Sequence, residues 1–513
     1  MFKKMLYLIS LIIPILMFAR RFLFYTALVA LIIFGIAAYN CQGYYHPDEH
    51  YQIIEFAGLK TGTNSGLQLP WEYAAQVRPS LQPYLCLFVF RSLALVNVAD
   101  PYQCAFALRM LTAIVAVLIV SFFVHTYMPA QHRNKQVVFI LLSFFLWYMP
   151  YLSTRFSSEI WAGLSFLLAV ALVKRNNHAN RNYIIAGFCM GLAFLFRYQM
   201  AFMIGGLILW LLIVRRISLS LFLFLSLGNI IALLLGGISD YFFYGNIVFP
   251  YVNYFEVNIL HDVASKFGVS PWYYYLQYIY YSMYPLCGTL VLACLLLVII
   301  RRPKSIFTWM LLPFLLVHFI VPHKEGRFLF PLIYFVPSVL MLSYDILQGG
   351  IQKLPRFLRI GLAMPFLFVN ALAMGATTMK AAGNGRKNIC QYIHQRYGSQ
   401  CVLIRYTYRS NPYNTWFGLE ENFYREKCLR SREIVFFGQL NRYPGSNDDC
   451  IQLVTMSRRD AQERMMSGAL IKGGWELEKS GIPQWIQYLQ QYYQGYDLEE
   501  PLQLYKRIAG NGK

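Results

Sequence analysis

Charge is what this 513-residue chain has little of: 13% of its positions are Asp, Glu, Lys or Arg and 57% are hydrophobic, where an ordinary soluble domain has about 25% and roughly 45–50%. That balance excludes a soluble enzyme. Acidic residues are the scarcer charge, 24 against 45 Lys plus Arg, leaving a formal net charge of +21. The cations sit in short loops between apolar runs, so they report topology and contact with membrane lipids, and no nucleic acid is expected as a partner. None of the ten cysteines has Cys-x-x-Cys spacing, which makes a zinc site improbable. There is no Gly-rich phosphate loop. No small-residue cleavage site follows Arg20-Arg21, so the opening Lys3-Lys4 and apolar run Met5 to Ala19 are not read as a signal peptide.

What is present is a series of apolar runs from Phe22 to about Thr377, with a mean hydropathy of +0.43 over the chain. Each run approaches the ~20 residues needed to cross a ~30 Å hydrocarbon core as helix. A polytopic all-α membrane protein is expected, with about 11–13 transmembrane helices. Aromatic residues make up 17%, including 39 Tyr; tyrosine suits the membrane interface and sugar-binding surfaces alike, and composition does not separate the two.

The basic clusters set the expected topology. Residues 1–21, apolar and basic at both ends, read as an interfacial segment, and Phe22 to Tyr39 as the first crossing. With Arg20-Arg21 inside, the polar stretch Asn40 to about Ser80 falls outside. His132 to Lys135, Lys174 to Arg181, Arg215-Arg216, Arg301 to Lys304 and Lys353 to Arg359 read as cytoplasmic, with a hairpin turning at Arg197 before the third. Ser153 to Ser158, Ser239 to Tyr275, Pro322 to Arg327 and everything after Thr377 then share the outer side. Ser80 to Met128 resists this scheme. It looks like two spans broken at Asp100-Pro101, which would put His132 outside, so either a re-entrant piece lies there or the basic loop violates the rule.

After Thr377 the long apolar runs stop, dividing the chain into a multi-spanning domain, 22–377, and a small extracytoplasmic α/β domain, 378–513. Cys401 to Ile404, Glu433 to Phe437 and Cys450 to Thr455 read as buried strands, and Ile482 to Tyr493 as a helix. Cys390, Cys401, Cys428 and Cys450 form up to two disulfides or stay as buried thiols.

Three outer segments carry chemistry. The first contains His46-Pro47-Asp48-Glu49-His50 and then Glu55. Adjacent carboxylates beyond a membrane boundary are candidates for a general base and an orienting acid; equally, Pro before the pair opens a helix whose dipole favours acids in its first turn. The same loop continues through Trp71-Glu72-Tyr73 to Arg78, read either as an interfacial belt or as partners of an anionic phosphate. The third is Pro322-His323-Lys324-Glu325-Gly326-Arg327-Phe328, where four ionisable groups crowd a tight membrane turn, a costly arrangement unless paired or ligand-bound. Two permanent cations on the disfavoured side point to a phosphate site; pairing with Glu325 beside the headgroups is the alternative. Asp240 and Pro271-Trp272 populate a further outer loop.

In their order, His46-Pro47-Asp48-Glu49, Trp71-Glu72-Tyr73 with Arg78, Asp240 with Tyr244-Gly245, Phe267-Gly268 with Pro271-Trp272, and His323-Lys324-Glu325 with Arg327-Phe328 resemble glycosyltransferase family 22. Those are the dolichyl-phosphate-mannose-dependent α-mannosyltransferases of glycosylphosphatidylinositol (GPI) and N-glycan precursor assembly. The His-Pro-Asp-Glu form is most similar to the GPI branch. The chain departs from the pattern at Pro79, at Gly326, which replaces a larger residue, and after Thr377.

The resemblance implies a GT-C-type fold and an inverting enzyme without a cofactor. It would move mannose from a polyprenyl (dolichyl) phosphate carrier to a hydroxyl of a glycolipid or lipid-linked oligosaccharide acceptor. Asp48 and Glu49 would be catalytic; His46, Trp71, Glu72, Arg78, Trp272, His323, Lys324, Glu325 and Arg327 would bind substrate. The site would face the non-cytoplasmic side, the endoplasmic reticulum lumen in a eukaryote or the periplasm in a bacterium. Rival readings are a transferase using another sugar or acceptor, such as lipid A or protein, and a non-enzymatic lipid-linked-sugar flippase. A transporter should show inverted repeats and midplane charges, and the sequence carries no repeat.

Overall fold

The computed structural model describes residues 2–128, 132–175, 179–414, 418–426, 428–434, 440, 450–483, 485, 486, 488 and 501–508, with side chains except at 2–17 and 464. The chain divides into two compact units. The first comprises Met1–Ile36, Ala75–Gln82 and Arg109–Thr378, and the second Ala37–Ala74, Pro83–Leu108 and Met379–Lys513. The second unit therefore takes in the first polar loop as far as Ala74 as well as the C-terminal chain.

Among the described residues, five helices are long and apolar enough to cross a membrane: Phe18–Asn40, Pro101–Tyr127, Leu219–Tyr244, Gly326–Ile351 and Arg356–Met379. A sixth is added if Pro285–Arg301 and Ile306–Ile320, bent by 117° at their joint, count as one span. The remaining apolar runs are shorter helices, among them Ser158–Lys174 and Asn180–Phe196. The helix from Phe2 runs unbroken to Asn40, through Arg20-Arg21. Residues 2–21 are thus helically continuous with the expected first crossing, because nothing at the Arg pair interrupts the helix.

Leu81–Ala94 has 14 residues, about 21 Å at 1.5 Å per residue, too short for a ~30 Å core. Pro101–Tyr127, at 27 residues, is long enough. One crossing rather than two between Ser80 and Met128 is the arrangement a re-entrant or interfacial piece would give.

Close helix contacts shape the part of the first unit that holds Glu159 and Arg327. Helices Asn180–Phe196 and Leu219–Tyr244 run in the same direction and touch at glycines. A Cβ on Gly187 would meet the Leu225 carbonyl at 1.8 Å, and one on Gly228 the Ile184 carbonyl at 1.9 Å. Small residues spaced by four let backbones approach in this way. Ser158–Lys174 lies similarly on the 3₁₀ segment Gly326–Phe335, where a Cβ on Gly163 would be 2.9 Å from Pro331 Cα. One turn before Gly163 and one before Pro331 stand Glu159 and Arg327.

In the second unit a five-stranded sheet has β1 (Val402–Tyr406), β2 (Leu429–Glu433), β3 (Ile451–Ser457), β4 (Trp475–Ser480) and β5 (Leu502–Arg507) in the order β2-β1-β3-β5-β4. β1 pairs in parallel with β2 and β3, while β5 is antiparallel to β3 and β4. Ile404, Leu453 and Leu504 form a core with Ile389, Cys390 and Ile393 of helix Arg386–Tyr397. Of the four cysteines, Cys401 and Cys450 are joined, fastening the starts of β1 and β3. Cys390 is a buried thiol, which burial pushes up to about 12, and Cys428 is exposed. The expected strand Glu433 to Phe437 meets β2 only at Glu433; its residues from 435 on lie outside the described residues, as does most of the expected helix Ile482 to Tyr493.

Candidate active site

In the first unit, extended backbone at Glu325 (φ −130°, ψ 141°) delivers the chain into the 3₁₀ segment that starts at Gly326. A Cβ at Gly326 would sit 2.1 Å from the Tyr278 ring, so that side chain would have to move to admit one. Arg327 is buried. Its Nε donates to Glu325, and its NH1 donates to Glu159 Oε1 at 3.0 Å. Glu159 is itself 2% exposed and also takes Arg197 NH1 at 3.3 Å. Both guanidinium carbons lie over the Phe328 ring, at 4.7 Å for Arg197 and 5.4 Å for Arg327, a stacking that favours Arg over Lys.

His323 Nδ1 is 2.9 Å from the Gly268 carbonyl and Nε2 is 2.9 Å from Glu325 Oε1. Both ring nitrogens face acceptors, so the doubly protonated imidazolium fits best. The Glu325 bond accordingly raises the His323 pKa above its ordinary value, against burial, which lowers it. Lys324 is 6% exposed, and its ammonium donates to the Val321 carbonyl and, at 3.3 Å, to that of Ser270. Among the described residues it has no carboxylate partner. Desolvation lowers its pKa. Two carboxylates, Glu159 and Glu325, thus stand among three permanent cations and His323, whose two ring nitrogens both face acceptors, an arrangement suited to an anion.

Arg78 is half-buried, with its guanidinium 5.7 Å from the Tyr254 ring and its carbonyl accepting from Tyr244 Oη at 2.7 Å. Two residues on, the Ser80 amide and hydroxyl both donate to Asp240 Oδ1 at 2.7 Å. Trp272 is 64% exposed and packs edge-on against Phe319, two residues on from Ser270, whose carbonyl accepts from Lys324.

In the second unit, His46 caps the three-residue helix Pro47–Glu49, its Nδ1 accepting from the Asp48 amide at 3.3 Å. Asp48 and Glu49 occupy that first turn, half-exposed, as a Pro-opened helix would place them. A single π-helical turn, His50–Glu55, follows; such turns are found frequently at functional sites. His50 Nε2 is 2.7 Å from Glu55 Oε1, and both side chains are buried. Burial pushes the Glu55 carboxyl up, but bonds from His50, Asn64 and the Phe423 amide outweigh it and hold the group below its ordinary value. Glu72 is buried and accepts from Gln52 Nε2 at 3.1 Å, tying it to the π turn, while Trp71 is partly exposed.

The geometry brings His323, Lys324, Glu325 and Arg327 together. It gathers His46, Asp48 and Glu49 on one turn in the other unit. Glu159 and Arg197 were not among the expected site residues, although each is an ionisable residue at the end of an apolar helix, a placement that is itself a functional signal.

A sequence profile of the Alg9-like mannosyltransferase family matches residues 26–386. GPI mannosyltransferase 3 of Yarrowia lipolytica is 26% identical over 359 residues, 68% of this chain and 67% of that protein. GPI alpha-1,2-mannosyltransferase 3 of Bos taurus is 25% identical over 413 residues, 75% of this chain and 71% of its own. Among solved structures, ArnT from Cupriavidus metallidurans bound to undecaprenyl phosphate aligns over 95% of this chain and 98% of its own, with a TM-score of 0.50 and 11% identity, a likeness of fold.

Proposed function

Because the chain belongs to the Alg9-like mannosyltransferase family, we propose that it moves mannose from a polyprenyl (dolichyl) phosphate carrier to a hydroxyl of a glycolipid, as a GPI mannosyltransferase does, with inversion at the sugar carbon. It is a multi-pass membrane protein, and in this reading its chemistry faces the non-cytoplasmic side. The basic clusters support that orientation, and counting one crossing rather than two between Ser80 and Met128 removes the inconsistency at His132.

Asp48 takes the proton of the acceptor hydroxyl, with Glu49 orienting that group. The freed oxygen attacks the anomeric carbon of mannose as the bond to the lipid phosphate breaks, its electron pair leaving with the phosphate. Lys324 and the imidazolium of His323 meet that departing charge, an electrostatic stabilisation that needs no covalent enzyme intermediate. Arg327, held on two carboxylates, fixes the shape of the anion site. His46 orients Asp48, and Glu72 buttresses the π turn. Trp71, Arg78 and Trp272 bind the substrates' sugar and lipid parts. The observation that carries the reading is Lys324, a buried cation without a carboxylate partner among the described residues, in a turn rich in positive charge.

The test is transfer by purified protein in lipid, with radiolabelled polyprenyl-phosphate mannose against a panel of glycolipid acceptors. Label should appear in a mannosylated GPI precursor. Transfer only to an oligosaccharide-pyrophosphate lipid would move the enzyme to another branch, and no transfer to any acceptor would refute the proposal.

A further inference from the structure

We propose that residues 419–423 of the C-terminal chain clamp the Asp48 loop in its working geometry, which makes that chain part of the catalytic apparatus rather than an appendage. The inference rests on the assignment of Asp48 as base. Three hydrogen bonds join the segment to the loop, all within the second unit. Tyr44 Oη donates to Glu421 Oε1 at 2.7 Å, Tyr51 Oη donates to the Leu419 carbonyl at 2.7 Å, and the Phe423 amide donates to Glu55 Oε1 at 3.1 Å.

The next residue, Tyr424, stacks on the His50 ring at 5.3 Å, and Tyr44 stacks at 5.7 Å. His50 opens the π turn two residues after Asp48. Its ring nitrogen is held by Glu55, and Glu55 by Phe423, so the turn is gripped through ring faces, ring edge and backbone. Gly43, at φ +89°, turns the chain just ahead of the helical run that begins at Pro47, and the contacts of 419–424 hold that run at its start.

Glu421 shows that the grip is built in. It is 0% exposed and paired with Lys387, itself 2% exposed. A buried charge pair is weak evidence for stability and is often no better than apolar packing, so holding one here is better explained by orientation. The clamp residues also lie outside 26–386, the region that matches the family.

The experiment uses the full-length enzyme in lipid. Tyr44→Phe/Tyr51→Phe removes two hydroxyls without changing ring volume. Tyr397→Phe is the control: it loses a hydroxyl bond to Glu478 elsewhere in the same unit. For each, kcat, donor KM, the pH profile of kcat and the thermal midpoint are measured. The double variant should lose about tenfold in kcat, keep its donor KM within about twofold and shift the acid limb of its pH profile. Tyr397→Phe should keep kcat per folded molecule.

Unchanged kcat in the double variant, or a fall only in proportion to folded protein, overturns the clamp. If the double variant fails to fold, the two single variants decide on the same criteria. Asp48→Asn in the same assay separates the two claims. If it is inactive while the double variant is normal, the clamp alone fails. If Asp48→Asn retains activity, the base assignment fails and the clamp falls with it.

Discussion

Replacing Lys324 with Met separates an anion site from a structural ion pair by the sign of two effects. The ammonium is almost fully buried and rests on two backbone carbonyls. Removing it relieves the desolvation of a lone charge and leaves two carbonyls short of a donor. An unsatisfied buried carbonyl costs about 1–3 kcal/mol, and stranding a charge in low dielectric costs several. The terms oppose, so stability should change by no more than about 1–2 kcal/mol, a few degrees in the midpoint for a chain of this size. Donor binding has no such compensation. Losing a charge-assisted contact to the donor phosphate costs about 1.5–3 kcal/mol, roughly ten- to more than a hundredfold in affinity. Donor affinity by filter binding in lipid nanodiscs, with thermal melting of the same samples, reads both. A midpoint lowered by ten degrees or more with unchanged donor affinity would refute the anion-site reasoning.

Glu159→Leu should behave in the opposite way: it strands Arg197 and Arg327 without a shared carboxylate and should cost about 3–5 kcal/mol of stability, seen as a large fall in the melting midpoint. Arg327→Lys removes the planar fork that serves Glu325 and Glu159 at once, so donor use should fall even though the charge is kept; unchanged kcat/KM would argue against a shaped site. The His323 pKa is raised in the folded protein, so the stability its protonation contributes is fully present below about pH 6.5. It is lost as pH rises through the raised value, and His323→Gln should flatten that part of a stability–pH curve. Single cysteines at Ser65 and at His323, in a cysteine-free background, should both label from the non-cytoplasmic side with an impermeant reagent; labelling of the His323 position from the cytoplasm alone would overturn the orientation.

The membrane architecture is legible because hydrocarbon demands long apolar runs, and the His323–Arg327 turn because charge at a membrane edge is expensive enough to be conspicuous. Glu159 is not legible as a partner of Arg327: the two are 168 residues apart, and it is packing such as the close approach of Gly163 to Pro331 that brings their turns together. β1 and β3 are readable since Val402, Leu403, Ile404 and Leu453 form near-continuous apolar runs. β2, Leu-Arg-Ser-Arg-Glu, is an edge strand that buries one residue of five, and β4, the other edge, buries Trp475 alone of its six residues, so both look like loop. The grip of 419–423 on residues 44–55 joins segments more than 360 residues apart by single hydroxyls and one amide, contacts that leave no local pattern.

The most direct measurement is of the product itself. Protein reconstituted in lipid vesicles is given β-linked polyprenyl-phosphate mannose and a mannosylated GPI precursor, and the anomeric configuration of the new bond is read by NMR for wild type and for Asp48→Asn. The account predicts an α-mannoside and free polyprenyl phosphate in equal amounts from wild type, and transfer lost in Asp48→Asn with donor binding kept. A β-mannoside, Asp48→Asn activity within about tenfold of wild type (~1.4 kcal/mol of barrier), or intact donor crossing the bilayer without transfer would contradict it.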